Sequence, residues 1–363
     1  MPTARRRSSD SGERHLMSTM RYKLLGRSGL RVSELCLGTM TFGADWGWGA
    51  DKDACHGIFD SFVDRGGNFF DTANLYTGGS SERMLGEFVR ANRDAAVLAT
   101  KYTNALPGGR DPNAAGNQRK TMVQSLEASL KRLGTDRIDL YWVHAWDFLT
   151  SCEDVMRGLD DLVRQGKVLH VGISNAPAWV IARCNTLAEL RAWTPFTALQ
   201  IEYSLIERTV ERELIPMARA FDLAVIAWSP LASGILTGKY AASGTRDQTR
   251  RLDKTRMRAQ GIERDAAIVR VVAEVAAELD ASPGQVALAW VRAKGALPIL
   301  GVRTTAQLQD NLGCIALRLS EEQTARLDDV SKAPLGFPHD FLAMSQTVTY
   351  GGFADRIEGV TRL

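Results

Sequence analysis

The stretch NFFDTANLYTGGSSE, residues 68–82, decides how this chain is read. Asn68, Phe69 and Phe70 read as the end of a short buried strand, and Asp71 follows with no charge beside it. Tyr76 stands five residues on, in a loop of Thr, Gly and Ser that leads into a helical pattern. A carboxylate and a phenol thus arrive together at the mouth of a strand, and the fold must explain why.

Outward from this stretch, short apolar runs alternate with longer amphipathic ones. The strand candidates are LCLG from Leu35, NFF from Asn68, VLAT from Val97 and IDLYWV from Ile138, then VLHVGI from Val168, ALQI from Ala198, LAVIA from Leu223 and LPIL from Leu297. Between them, Met122, Leu126, Leu130 and Leu133 recur at helical spacing before Gly134 supplies a stop. A second apolar face runs from Glu263 to Leu279, and Ser282-Pro283-Gly284-Gln285 opens a further helix with a capping-box spacing. Eight strands roughly 30 residues apart argue for βα units in a parallel sheet. A doubly wound nucleotide fold would want G-x-G-x-x-G after its first strand, and that pattern is absent. The expected fold is therefore an α/β (β/α)8 TIM barrel with long loops on its C-terminal face. Ahead of it, RYKLLGRSGLRVS reads as a β-hairpin with its turn at Arg27-Ser28-Gly29, able to plug the barrel floor. The last two strands are roughly 70 residues apart, leaving room for a polar loop from Ser229 to Gly261.

Composition bounds the rest. The chain has 363 residues and a net charge of +3. Arg5, Arg6, Arg7, Arg14 and Arg21 against Asp10 and Glu13 account for the whole excess, so no basic face for nucleic acid is expected. The opening arginines precede no apolar run, so residues 1–20 read as a disordered tail and residues 21–363 as one barrel domain. No membrane span and no metal site are expected. The five cysteines lie far apart and include no CxxC pair, which suits free thiols in a reducing cytoplasm.

In a barrel the chemistry lies at the carboxyl ends of the strands. Those positions hold Asp71 after the second strand, Lys101 in ATKY after the third and His144 in YWVHAWD after the fourth, with Tyr76 in the loop beyond Asp71. A tyrosine with a pKa of about 10 is a poor proton carrier near neutrality. Lowering it by about three units needs roughly 4 kcal/mol, which an ammonium about 4 Å away supplies at an effective dielectric near 20. Asp71 would hold Lys101 charged, Lys101 would tune Tyr76, and a neutral His144 could orient a carbonyl oxygen beside it.

From about Arg21 to Leu363 the chain resembles the aldo-keto reductases, including the branch of the potassium-channel β subunits and bacterial members. The residues that carry this are LGRSGLRVSELCLGTMTFG, FFDTANLYTGGSSERMLG, TKY, YWVHAWD, GKVLHVGISN, LQIEYSL, WSPLASGILTGKY and GVRTTAQLQDN, in that order. The resemblance implies that Asp71, Tyr76, Lys101 and His144 form a catalytic tetrad with Tyr76 as general acid and base. It implies hydride transfer between NADPH, in preference to NADH, and a small carbonyl substrate. It also assigns cofactor contacts. Gly38, Thr39, Met40 and Asp71 fall beneath the nicotinamide end, Ser174, Asn175 and Gln200 on the carboxamide, and Trp228 on the nicotinamide ring. Ser229, Pro230, Leu231, Ser233, Gly234 and Lys239 match a loop over the pyrophosphate. Gly301, Arg303, Gln307 and Asn311 match the adenosine end, where Arg303 would meet the 2′-phosphate. Trp46, Trp48 and Trp146 could line a substrate pocket or pack against loops. Two rival readings remain at this stage: a cofactor-holding regulatory module like the channel subunits, and an aldolase-type lyase that forms a Schiff base on Lys101. Neither the physiological substrate nor the oligomeric state is readable.

Overall fold

A computed structural model describes residues 20–105, 111–239, 262–353 and 356–357. The expected N-terminal tail and most of the loop between the last two barrel strands lie outside the described residues. Met20 is already buried, so the described chain starts in the core rather than in a tail.

Eight parallel strands close into a barrel, and an antiparallel pair precedes them. The pair is β1, Tyr22–Leu24, and β2, Arg31–Ser33. The barrel strands are β3 (Cys36–Gly38), β4 (Phe69–Asp71), β5 (Val97–Tyr102) and β6 (Ile138–Val143). They continue with β7 (Val168–Ser174), β8 (Phe196–Glu202), β9 (Ala224–Trp228) and β10 (Leu297–Gly301), which pairs back onto β3. The expected strand positions hold to within two residues at their starts. The helix stops also follow the sequence signals: Gly134 takes the left-handed conformation at φ 63°, and Ser282 and Gln285 form the reciprocal capping box ahead of the helix Pro283–Ala293.

Period-two alternation divides each strand between two cores. Outward residues such as Leu37, Phe70, Leu98, Tyr141, Val171 and Leu199 join the cluster beneath the helices. Inward residues, among them Cys36, Phe69, Ala99, Leu140, Trp142, Ala198, Ile226 and Ile299, fill the barrel. Size complementarity makes this possible. A Cβ on Gly172 would lie 2.4 Å from the Trp142 indole, so the glycine of β7 is what lets the large ring of β6 sit inside.

The N-terminal pair forms the barrel floor, as expected, although its turn is a 3-10 segment over Gly26–Ser28 closed by left-handed Gly29. Leu25 is wholly buried and packs with the interior cluster. Gly26 has a φ of 52°, and a Cβ there would meet the carbonyl oxygens of Thr197 and Asp222 at 2.4 and 2.5 Å. The floor is therefore pressed against the backbones at the start of β8 and just ahead of β9. Among the described residues no helix is long and apolar enough to cross a membrane.

The stretch PLGFPHDFLAMSQTVTYGG contains a helix over His339–Thr349 with no buried residue. It is tied to the barrel rim where His339 Nε2 lies 3.0 Å from Glu213 Oε1.

Leu25→Ala should leave a cavity at the barrel floor and lower the unfolding free energy by about 2–5 kcal/mol. Urea denaturation followed by circular dichroism measures this, and a loss well under 1 kcal/mol would show that the pair does not seal the barrel.

Candidate active site

The strand register brings the chemistry together. Gly301 pairs with Gly38, Gly38 with Asp71 and Asp71 with Ala99, so three strand ends share one level. Lys101 stands two residues beyond Ala99 on the same inner face of β5, beside Trp142 of β6. One slip of register would turn these side chains into the helical layer.

Lys101 is wholly buried, and its ammonium meets three oxygens of the β4 end and the loop beyond it. It donates to Asp71 Oδ2, to the Thr72 carbonyl at 2.7 Å and to Tyr76 Oη at 3.2 Å. Burial alone pulls its pKa down as the largest single effect, yet Asp71 and Tyr76 together outweigh this and raise it. Lys101 therefore stays charged. The second oxygen of Asp71 accepts a hydrogen bond from Gln200 Nε2 at 3.0 Å, so the carboxylate is held from two strands.

Tyr76 opens a short turn, Tyr76–Gly79, in which Thr77 has a φ of 46°. A β-branched residue in the left-handed region is strained and persists only when its surroundings hold it. Here Thr77 Oγ1 donates to the Phe42 carbonyl at 2.7 Å and accepts from the Ser81 amide at 3.0 Å. Behind it, Ser81 Oγ meets Thr39 Oγ1 at 2.8 Å and Thr72 Oγ1 at 2.9 Å, all three buried. This hydroxyl cluster ties β3, β4 and the helix Ser80–Val89 behind the tyrosine. Nothing in the sequence singled it out, because its members are ordinary Ser and Thr on three separate elements.

His144 follows β6 and meets the Tyr76 ring edge-on, with centroids 6.0 Å apart. Burial first, and the Lys101 charge second, lower its pKa from 6.5 to about 3. The imidazole is neutral at physiological pH.

These groups open into a cleft of about 720 Å³, a size suited to a small-molecule ligand. Asp71, Tyr76 and His144 border it, while Lys101 lies behind them. Every residue expected at the cofactor also borders it except Thr39 and Ser174. Thr39 is turned inward, where its hydroxyl donates to the Asp71 carbonyl at 3.2 Å. Ser174 ends β7 just inside Asn175, and its buried Oγ finds no partner among the described residues. Asn175, with a φ of 48°, donates to the His144 carbonyl and accepts from Trp228 Nε1 at 3.3 Å. The loop after β9 holds Ser229, Ala232 and Ser233 at positive φ, and Gly234 with them. At the far strand, the Arg303 amide already donates to Gln307 Oε1 and the Gln307 amide to Thr304 Oγ1. Both backbone amides at that helix start are therefore taken up within the turn. Trp46 and Trp48 line the cleft, whereas Trp146 does not and packs against the outer core. Thr41, Leu75 and Asn104, which the sequence did not mark, line it as well.

Residues 34–332 match the Aldo/keto reductase family. The chain is 39% identical over 336 residues to norsolorinic acid reductase of Emericella nidulans, covering 89% of this chain and 84% of that one. It is 38% identical over 333 residues to an uncharacterized oxidoreductase of Bacillus subtilis, covering 87% and 98%. It is 36% identical over 333 residues to an aryl-alcohol dehydrogenase of Pestalotiopsis microspora, covering 89% and 85%. The chain belongs to the aldo/keto reductase family, and it is an oxidoreductase.

The histidine gives a test of the site's burial. Folded His144 remains neutral down to about pH 3, whereas an unfolded imidazole takes its proton near 6.5. The unfolded state binds the extra proton between those values, so stability falls as pH drops through that window. His144→Gln should flatten the slope of unfolding free energy between pH 7 and pH 4 in urea titrations. Parallel slopes for the two proteins would show that this imidazole is not held neutral.

Proposed function

We propose that the protein reduces an aldehyde or ketone to the alcohol with NADPH, and that the reaction also runs in reverse. The observation that carries this reading is the Tyr76 hydroxyl 3.2 Å from a buried ammonium that Asp71 keeps charged. The names of the relatives include both a reductase and an alcohol dehydrogenase, the two directions of one reaction.

NADPH supplies the hydride when bound. Its fit is supported by the buried, unpartnered Ser174 Oγ beneath Asn175 and by the positive-φ loop after β9, since buried polar groups are normally paired and such strain clusters at ligand clamps. Asn175 and Ser174 would hold the carboxamide and Trp228 the ring. Gln200 also borders this end, although its Nε2 is committed to Asp71. Of the other cleft residues, Gly38 and Met40 would lie beneath the nicotinamide end, Ser229, Pro230, Leu231, Ser233, Gly234 and Lys239 would cover the pyrophosphate, and Gly301, Arg303, Gln307 and Asn311 would meet the adenosine end.

The proton is the protein's own contribution. Tyr76 Oη gives a proton to the carbonyl oxygen as negative charge develops there, and the Lys101 ammonium stabilises the phenolate left behind. Asp71 keeps that ammonium charged. Neutral His144 orients the carbonyl oxygen without competing as the acid. A Schiff base on Lys101 is disfavoured by the same geometry, because an ammonium held by three oxygens is neither deprotonated nor accessible. The complete set of four residues likewise favours chemistry over a purely regulatory role.

A panel of aldehydes and ketones assayed by NADPH absorbance tests the reading. Tyr76→Phe should lower turnover by about 10²–10⁴-fold while cofactor binding persists. Near-normal reduction by that variant would remove Tyr76 as the acid. Arg303→Ala should weaken NADPH by about 10- to 150-fold, the range of a charge-assisted contact, and leave NADH little changed. Fluorescence titration of both cofactors reads this, and equal losses would assign Arg303 to loop support.

A further inference from the structure

His144 borders the cleft, yet its buried Nδ1 meets no partner among the described residues. No hydrogen bond from behind fixes the ring, so its direction follows from its backbone, its rotamer and the side chains packed on it. That backbone is held at both ends. The His144 amide donates to Thr103 Oγ1 at 3.3 Å, and the His144 carbonyl accepts from Asn175 Nδ2 at 2.9 Å. Thr103 stands just past β5 with a φ of 96°, which a β-branched residue keeps only when its surroundings hold it. Its carbonyl accepts from the Gly116 amide at 2.8 Å, and its hydroxyl accepts from Asn117 Nδ2 at 2.9 Å. Asn117 is wholly buried just ahead of the helix Arg119–Leu133. Its Nδ2 also donates to the Ala145 carbonyl at 2.9 Å, and its Oδ1 accepts from the Asp147 amide at 2.8 Å. One side chain thus braces the chain on both sides of His144. Neither Asn117 nor Thr103 borders the cleft.

We propose that Asn117 is a positioning residue for the reduction, aiming His144 at the carbonyl oxygen through Thr103 and Ala145. The inference rests on the reading of the cleft as a carbonyl reductase site. A carboxamide suits the task because its two donors and its acceptor join a hydroxyl, a carbonyl and an amide at once. An ionised aspartate has no donor to offer there, and a serine has only one. Since Asn117 stands outside the cleft, its removal acts on turnover through the placement of the ring. A misplacement of about 1 Å can cost about 100-fold.

The test is a double-mutant cycle of Asn117→Ala with His144→Ala, read as kcat for a reducible aldehyde and as NADPH affinity by fluorescence. Asn117→Ala should lower kcat by about 10- to 100-fold and leave NADPH affinity within about twofold. In the His144→Ala background the same change should cost less than about twofold, because the ring it aims is gone. Thr103→Val should reproduce the loss, while Thr103→Ser, which keeps the hydroxyl, should stay within about threefold of the wild type. This second pair carries the test if Asn117→Ala does not fold. Losses of equal size with and without His144 would overturn the inference and leave the reductase reading standing. A second readout needs no turnover. The His144 ring signal, assigned by its absence from His144→Ala, is followed by NMR from pH 7 to pH 4. It should stay neutral in the wild type, whose imidazole holds out to about pH 3, and titrate in Asn117→Ala as the ring leaves its seat. Should the wild type reduce no carbonyl, titration confined to the variant would support the aiming of His144 by Asn117 and sink the reductase reading. Identical titration in both proteins would then sink the two together.

Discussion

The structure turns on one charge placed inside a barrel. An ammonium without water costs several kcal/mol unless it is paired and its remaining protons are accepted. Lys101 meets that demand with Asp71, the Thr72 carbonyl and Tyr76, all supplied by the end of β4 and the loop beyond it. The rest of the rim is arranged around keeping them there. Gln200 reaches across the barrel to the free oxygen of Asp71, and the Thr39, Thr72 and Ser81 hydroxyls fasten the turn that carries Tyr76.

The same charge shapes its neighbour. His144 is neutral partly because it is buried and partly because Lys101 stands close, so one cation both supports the phenol and holds the imidazole uncharged. A proton carrier and a neutral hydrogen-bonding group can then share a small space without competing for one proton. In the proposed reaction that division of labour lets Tyr76 act alone as the acid. The barrel interior serves this arrangement by being rigid: the Trp142 indole against Gly172 and Leu25 in the floor leave little room for the strand ends to shift.

Much of this was legible from residue order. Strand runs near 35, 68, 97, 138, 168, 198, 223 and 297 matched the barrel strands because parallel strands buried on both faces read as short continuous apolar segments. The four polar residues at the strand rims stood out because strand ends are where a barrel displays chemistry. The helix His339–Thr349 did not stand out, since its sequence lacks a single apolar face and none of its residues is buried. The hydroxyl cluster and Asn104 were equally silent. Such residues are common in loops, and only their neighbours give them meaning.

The sequence by itself determined the alternation of strands and helices, the helix caps and the set of ionisable groups at the rim, because these depend on local periodicity and residue chemistry. Tertiary structure alone decided which of those groups touch. Asp71 and Gln200 are 129 residues apart, and no local pattern relates them. Trp46, Trp48 and Trp146 are alike as residues, yet two border the cleft and one packs in the outer core. The commitment of the Arg303 and Gln307 amides is likewise a matter of how one turn closes. Contacts of this kind follow from barrel closure and strand register, which are properties of the whole chain and are written in no single segment of it.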